Sequence, residues 1–165
     1  MLRPVMSLRL FIGVLLLSVV AFGQETKAPA TNESTPTILF VCEHGAAKSV
    51  IAAAYFDKLA KERGLKHRAV FRGTSPDPAL APAAVKGLKD DGLDTKGWKP
   101  SILTKQEMKD ASAIVTLGCA LPEKDAVAGK VSEWNETPSV SQNYAGARDY
   151  ILKKVQGLID ELAKQ

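Results

Sequence analysis

Cysteine is scarce in this chain: Cys42 and Cys119 are the only two in 165 residues. Two are too few for a disulfide scaffold, and their separation matches no zinc-ligand spacing, so neither a metal nor a cofactor is expected. Aromatic residues make up 6% of the chain, and no basic run is interleaved with them, which argues against a nucleic-acid partner. Net charge is small at +4, and Arg3 and Arg9 supply two of the positives. There is no internal repeat and no second domain boundary, and the length suits one domain with a real core. The longest apolar run, Leu10 to Phe22, is about 13 residues, short of the ~20 a bilayer span requires.

That run reads instead as the centre of a signal peptide over residues 1–23. Arg3 and Arg9 form its positive flank, and the small residues Ala21 and Gly23 favour cleavage before Gln24. Residues 24–36 are polar and rich in Pro, Thr and Ala, as expected of a flexible leader. The domain proper would span residues 37–165. The expected location is therefore exported, periplasmic or secreted, with no membrane contact after cleavage. An oxidising compartment would also permit the two cysteines to pair.

Periodicity in the remainder predicts alternating strands and helices. Thr37 to Cys42 is a short apolar run suited to a strand buried on both faces. Ser49 to about Arg63 places Ala52, Tyr55, Phe56 and Leu59 on one helical face, with Gly64 as the stop. Arg68 to Arg72 is a second strand candidate. Leu80, Ala84 and Leu88 mark a helix ended by Gly92. Thr104 and Glu107 form a capping box, and Ala113 to Leu117 is a further strand. From Tyr144, the residues Ala147, Ile151, Val155, Leu158 and Leu162 trace a long terminal helix. Such alternation implies a three-layer α/β fold with a parallel sheet, whose ligands sit beyond the carboxyl ends of the strands. Cys42 and Cys119 both fall at such ends.

The chemistry concentrates in Val41-Cys-Glu-His-Gly-Ala-Ala-Lys-Ser49. A strand runs into a loop of small residues and then opens a helix. Backbone N–H groups from Glu43, His44, Gly45, Ala46, Ala47, Lys48 and Ser49 can converge there on one tetrahedral oxyanion, helped by the helix dipole. The same field favours a Cys42 thiolate, with Lys48 adding formal charge and Ser49 a hydroxyl able to donate to sulfur. A generic turn after a buried strand-end cysteine has the same spacing. His44 reads either as a cation near the thiolate or as a loop side chain turned to solvent. Glu43 is expected to face outward.

This segment resembles the signature of the low-molecular-weight protein tyrosine phosphatases and the arsenate reductases of their fold: a cysteine, five residues, an arginine, then Ser or Thr. Phe71-Arg-Gly-Thr74, Gly92-Leu-Asp94, Lys99 to Leu103, Val115 to Cys119 and Trp134 to Pro138 are similar to further family segments. The resemblance implies a four-stranded parallel sheet with helices on both faces, Cys42 as nucleophile, and phosphate, arsenate or a phosphorylated molecule as partner. It also implies a role for Cys119 as resolving thiol in arsenate reduction, forming a Cys42–Cys119 disulfide that a thiol reductant would reopen. Three residues depart from the pattern. Lys48 replaces the arginine and loses its planar fork. Gly45 stands where an asparagine is usual. Thr137 stands where the general acid aspartate precedes Pro138, leaving Glu136 as a nearby acid or merely a solvated carboxylate. Three readings stay open: an enzyme acting on a phosphate ester or arsenate, an impaired oxyanion binder, and a thiol redox protein using Cys42 and Cys119.

Overall fold

The computed structural model describes residues 35–165; the expected signal peptide and nearly all of the expected leader lie outside the described residues. Four parallel strands form one sheet in the order β2-β1-β3-β4: β1 (Thr37–Cys42), β2 (Arg68–Gly73), β3 (Ala113–Thr116) and β4 (Val131–Glu133). The helices are α1 (Lys48–Glu62), α2 (Pro82–Asp90), α3 (Lys105–Asp110) and α4 (Tyr144–Leu162), with a 3-10 segment at Lys124–Lys130. No helix among the described residues is long and apolar enough to cross a membrane.

The period of two in β1 distributes its side chains between two cores. Ile38, Phe40 and Cys42 join Val50, Phe56 and Ile151 on one face of the sheet, while Leu39 and Val41 join Met108, Ile114 and Val127 on the other. A central strand covered on both faces must be apolar at every position, which is why its six residues stand out in the sequence. Phe40 packs against both Phe56 and Trp134, with ring centroids 5.7 and 5.9 Å apart. Each such fully buried ring contributes on the order of 2 kcal/mol through its removal from water.

Helix α1 is covered more completely than an amphipathic stripe would be. Ser49, Val50, Ile51, Ala52, Ala53, Ala54, Tyr55 and Phe56 are all buried, and Leu59 is only half-buried. The polar tie on its outer side is Asp91, at the end of α2. Tyr55 and Tyr144 donate hydroxyl hydrogen bonds to Asp91 Oδ2 at 2.8 and 2.6 Å, and Arg148 lies 3.2 Å from Oδ1. Burial alone would raise the Asp91 pKa, but these three donors outweigh it and hold the carboxylate below its ordinary range. In turn, burial together with that carboxylate pushes the Tyr55 hydroxyl up to about 12. One carboxylate thus joins α1, α2 and α4.

Candidate active site

Strand β1 delivers Cys42 to the carboxyl edge of the sheet, and α1 begins six residues later. Between them the loop is fastened from outside. The carbonyls of Cys42, Glu43, His44 and Ala46 accept from the backbone N–H groups of Thr74, Ser75, Asp77 and Ala81, at 3.2, 2.8, 3.0 and 2.9 Å. With its carbonyls turned into those bonds, the loop keeps the N–H groups of Glu43 through Ser49 without an acceptor among the described residues. Such a row of unspent donors at a helix N-terminus is an anion cradle.

Gly45 explains one departure from the family pattern. Its φ is +58°, and a Cβ there would lie 2.7 Å from Gly73 N. Reciprocally, a Cβ on Gly73 would lie 2.8 Å from Gly45 N. The two glycine backbones touch, so the loop is braced by β2 through direct backbone contact.

Inside the loop, Cys42 Sγ lies 3.2 Å from Ser49 Oγ, and both residues are buried. A hydroxyl at that distance can donate to a thiolate and lower its charge cost. Lys48 aims its ammonium across the cleft toward Gly118, within 3.3 Å of where a Cβ on that glycine would sit. The cleft has a volume of about 330 Å³; Cys42, His44 and Lys48 line it from the loop, Asp77 and Ala81 from the segment before α2, and Ser139 to Ser141 from the segment before α4. A larger groove of about 820 Å³ lies beyond Pro78, between Lys89 and Trp98, but no cysteine lines it. Chemistry therefore assigns the site to the smaller cleft.

Glu43 and His44 are both exposed at the cleft rim, with His44 Nε2 3.8 Å from Glu43 Oε2 and Nδ1 3.2 Å from Asp77 Oδ1. Asp77 is the residue that sequence reasoning missed. It sits 33 positions past His44 in a Pro76-Asp77-Pro78 turn, and only the fold joins the two. Ser139 and Ser141 were missed for the same reason. Of the two alternatives for Glu136, the placement fits the solvated carboxylate: it is exposed and does not line the cleft, and the chain turns there and buries Thr137 instead. Thr137 donates its hydroxyl to Trp134 O at 2.7 Å, so the residue at the usual acid position holds a turn together.

Cys119 and Cys42 are both free thiols. They leave adjacent parallel strands, with Val41 opposite Thr116 and Leu117 N–H donating to Val41 O. The Cys119 thiol also points to Val41 O, at 3.6 Å. Burial, then the charge of a Cys42 thiolate nearby, pushes Cys119 up to about 11, against smaller opposing effects of the Leu117 backbone and Lys48. At pH 7.5 its thiolate fraction is then below about one in a thousand. Iodoacetamide at that pH is expected to leave Cys119 unmodified in the folded protein, with a rate that climbs about tenfold per pH unit toward pH 10. Peptide mass mapping after timed quenching measures this, and rapid modification of Cys119 at neutral pH contradicts the raised value.

A family model described as low molecular weight phosphotyrosine protein phosphatase matches residues 37–133. A curated protein of Halobacterium salinarum named "Putative arsenate reductase" is 25% identical over 134 residues, covering 78% of this chain and 94% of its own. Among solved structures, YfkJ from Bacillus subtilis superposes with a TM-score of 0.68 at 18% identity, covering 81% of this chain and 98% of that one. A protein tyrosine phosphatase from Entamoeba histolytica, in a product-state mimic, gives a TM-score of 0.68 at 17% identity, covering 79% and 97%. At such identities the two structures establish the fold.

Proposed function

The chain belongs to the low molecular weight phosphotyrosine protein phosphatase family, and from that premise we propose that it hydrolyses phosphate monoesters with Cys42 as nucleophile. The observation that carries this reading is the Cys42 Sγ to Ser49 Oγ contact at 3.2 Å beneath a loop of unspent N–H donors. In the reaction, sulfur would bond to phosphorus as the ester oxygen departs, and water would then cleave the S–P bond. The loop amides would hold the three non-bridging oxygens, and Lys48 would supply the formal charge that an arginine gives elsewhere in the family. A lysine neutralises charge without a bidentate fork, so turnover on aryl esters is expected to be slow.

A second reading is favoured by one observation, the placement of Cys119 one strand away from Cys42. In arsenate reduction, Cys42 would bond to arsenic and Cys119 would then attack Cys42, releasing arsenite and leaving a disulfide. A thiol reductant would have to restore both thiols. The high pKa of Cys119 makes it a poor attacking thiol at rest, which places this reading second. We also read residues 1–23 as a signal that exports the chain; N-terminal sequencing of exported protein is expected to begin at Gln24, and a retained Met1 would refute it.

Titration of the mature protein with inorganic phosphate tests the oxyanion cradle. Backbone amides of Glu43 through Ser49 are expected to shift together and saturably, while those of the groove near Trp98 stay put. If no loop amide moves at tens of millimolar phosphate, the cradle reading fails.

A further inference from the structure

We propose that His44, held by Asp77, is the proton donor to the leaving group. The proposal rests on Cys42 being the nucleophile and supplies the acid that the family position lacks. Thr137 occupies that position with its hydroxyl already spent on Trp134 O, and Glu136 stands outside the cleft. An alkoxide leaves far more slowly than an alcohol, so the proton must come from another group in the same cleft.

Besides Cys42, the ionisable side chains that line the cleft are Glu43, His44, Lys48 and Asp77. The Lys48 ammonium lies against Gly118, and its role in this reading is to balance the anion's charge. Glu43 is largely exposed and has His44 as its only ion-pair contact among the described residues. His44 is different, because Asp77 grips it twice. The Asp77 backbone N–H donates to the His44 carbonyl at 3.0 Å, and the Asp77 carboxylate lies 3.2 Å from Nδ1. Pro76 and Pro78 restrict the backbone on either side of Asp77, so the carboxylate is presented from a stiff turn. Both side chains are about half exposed, and an ion pair so placed contributes little to stability. Its effect is to orient the ring, with Nδ1 toward Asp77 and Nε2 3.8 Å from the exposed Glu43 carboxylate, beyond hydrogen-bond reach and so able to exchange a proton.

Cys42 Sγ bonds to phosphorus while the phosphorus–oxygen ester bond breaks. The electron pair of that bond passes to the alcohol oxygen, which takes the Nε2 proton of the imidazolium. Water then attacks phosphorus and gives a proton to neutral Nε2, and the sulfur–phosphorus pair returns to Cys42 as thiolate. An ester and water become an alcohol and phosphate, with no oxidant or reductant. Asp77 acts as a positioning residue.

A leaving-group series on the mature protein, with His44→Gln and Asp77→Asn beside wild type, tests this. The substrates are phenyl, 4-nitrophenyl and 2,4-dinitrophenyl phosphate, whose need for a proton falls in that order. His44→Gln is expected to lose at least tenfold more kcat on phenyl phosphate than on the dinitrophenyl ester, and Asp77→Asn should show the same slope to a smaller degree. Phosphate affinity, read from the loop amides of each variant, separates a change in binding from a loss confined to kcat. An equal loss on all three esters overturns the proposal, as does a selective loss in Asp77→Asn with none in His44→Gln, which would make Asp77 the donor. If wild type hydrolyses not even the dinitrophenyl ester, the phosphatase reading itself falls and this assignment with it.

Discussion

Cys42→Ser is expected to lower hydrolysis of 2,4-dinitrophenyl phosphate by a factor on the order of 10⁴ or more, equivalent to ~5.5 kcal/mol of transition-state stabilisation. The size follows from what sulfur does in this site. A serine hydroxyl at position 42 would sit beside Ser49, at the contact now 3.2 Å long, and that hydroxyl, the one hydrogen-bond partner of the position 42 side chain among the described residues, is no base to take its proton. Thiolate forms readily beside a helix N-terminus, whereas an alkoxide does not. Binding should survive, because the cradle is made of backbone N–H groups held by Thr74, Ser75, Asp77 and Ala81, none of which the substitution touches. The informative result is therefore a split: rate lost, phosphate-induced amide shifts retained. If wild type reduces arsenate with a dithiol, Cys42→Ser should abolish that activity as well. Cys42→Ser with more than a tenth of wild-type rate would remove Cys42 from the chemistry.

Gly45→Ala is expected to be the most damaging small substitution in the loop. A non-glycine residue at φ +58° costs ~1–2 kcal/mol, and the added Cβ would meet Gly73 N at 2.7 Å. Forcing a methyl into backbone contact costs a further ~1–3 kcal/mol. The total, about 2–5 kcal/mol, corresponds to a melting temperature lower by on the order of 10 °C in a domain of this size. Relief of the clash would push the loop from β2 and break the bonds from Thr74 and Ser75 to Cys42 and Glu43. Phosphate affinity should therefore fall along with stability. Gly73→Ala creates the reciprocal contact without the left-handed backbone and should cost less. Thermal unfolding of both variants checks the order. If Gly45→Ala melts within 2 °C of wild type, the glycine contact is not what braces the loop.

Legibility in the sequence followed the range of the interactions. Strand β1 was readable because both its faces are buried, so every position from Ile38 to Cys42 is apolar. The capping box at Thr104 and Glu107 was readable because both partners lie within one turn. Strand β4 has three residues, of which Ser132 and Glu133 are exposed, and so carries no pattern to find; only the family resemblance called for a fourth strand. Helix α1 looked one-sided and is buried almost all round over its first turns, because the sheet, α2 and α4 all close on it.

The same division runs through the site. From Cys42 to Ser49 a strand end, a loop of small residues and a helix start are all written in the local sequence, since short-range backbone geometry decides that arrangement. The sequence also marked Lys48 and Thr137 as departures. It could not rank Glu136 against Asp77, because adjacency in the chain says nothing about which side of a turn a carboxylate takes. The folded chain settles it: Thr137 turns inward onto Trp134, Glu136 is left in solvent, and the segment after β2 brings Asp77 to 3.2 Å from His44. The contact of Gly45 with Gly73 is of the same kind. Contacts between residues so far apart in the chain depend on the sheet forming first, and no local pattern of hydrophobicity encodes them.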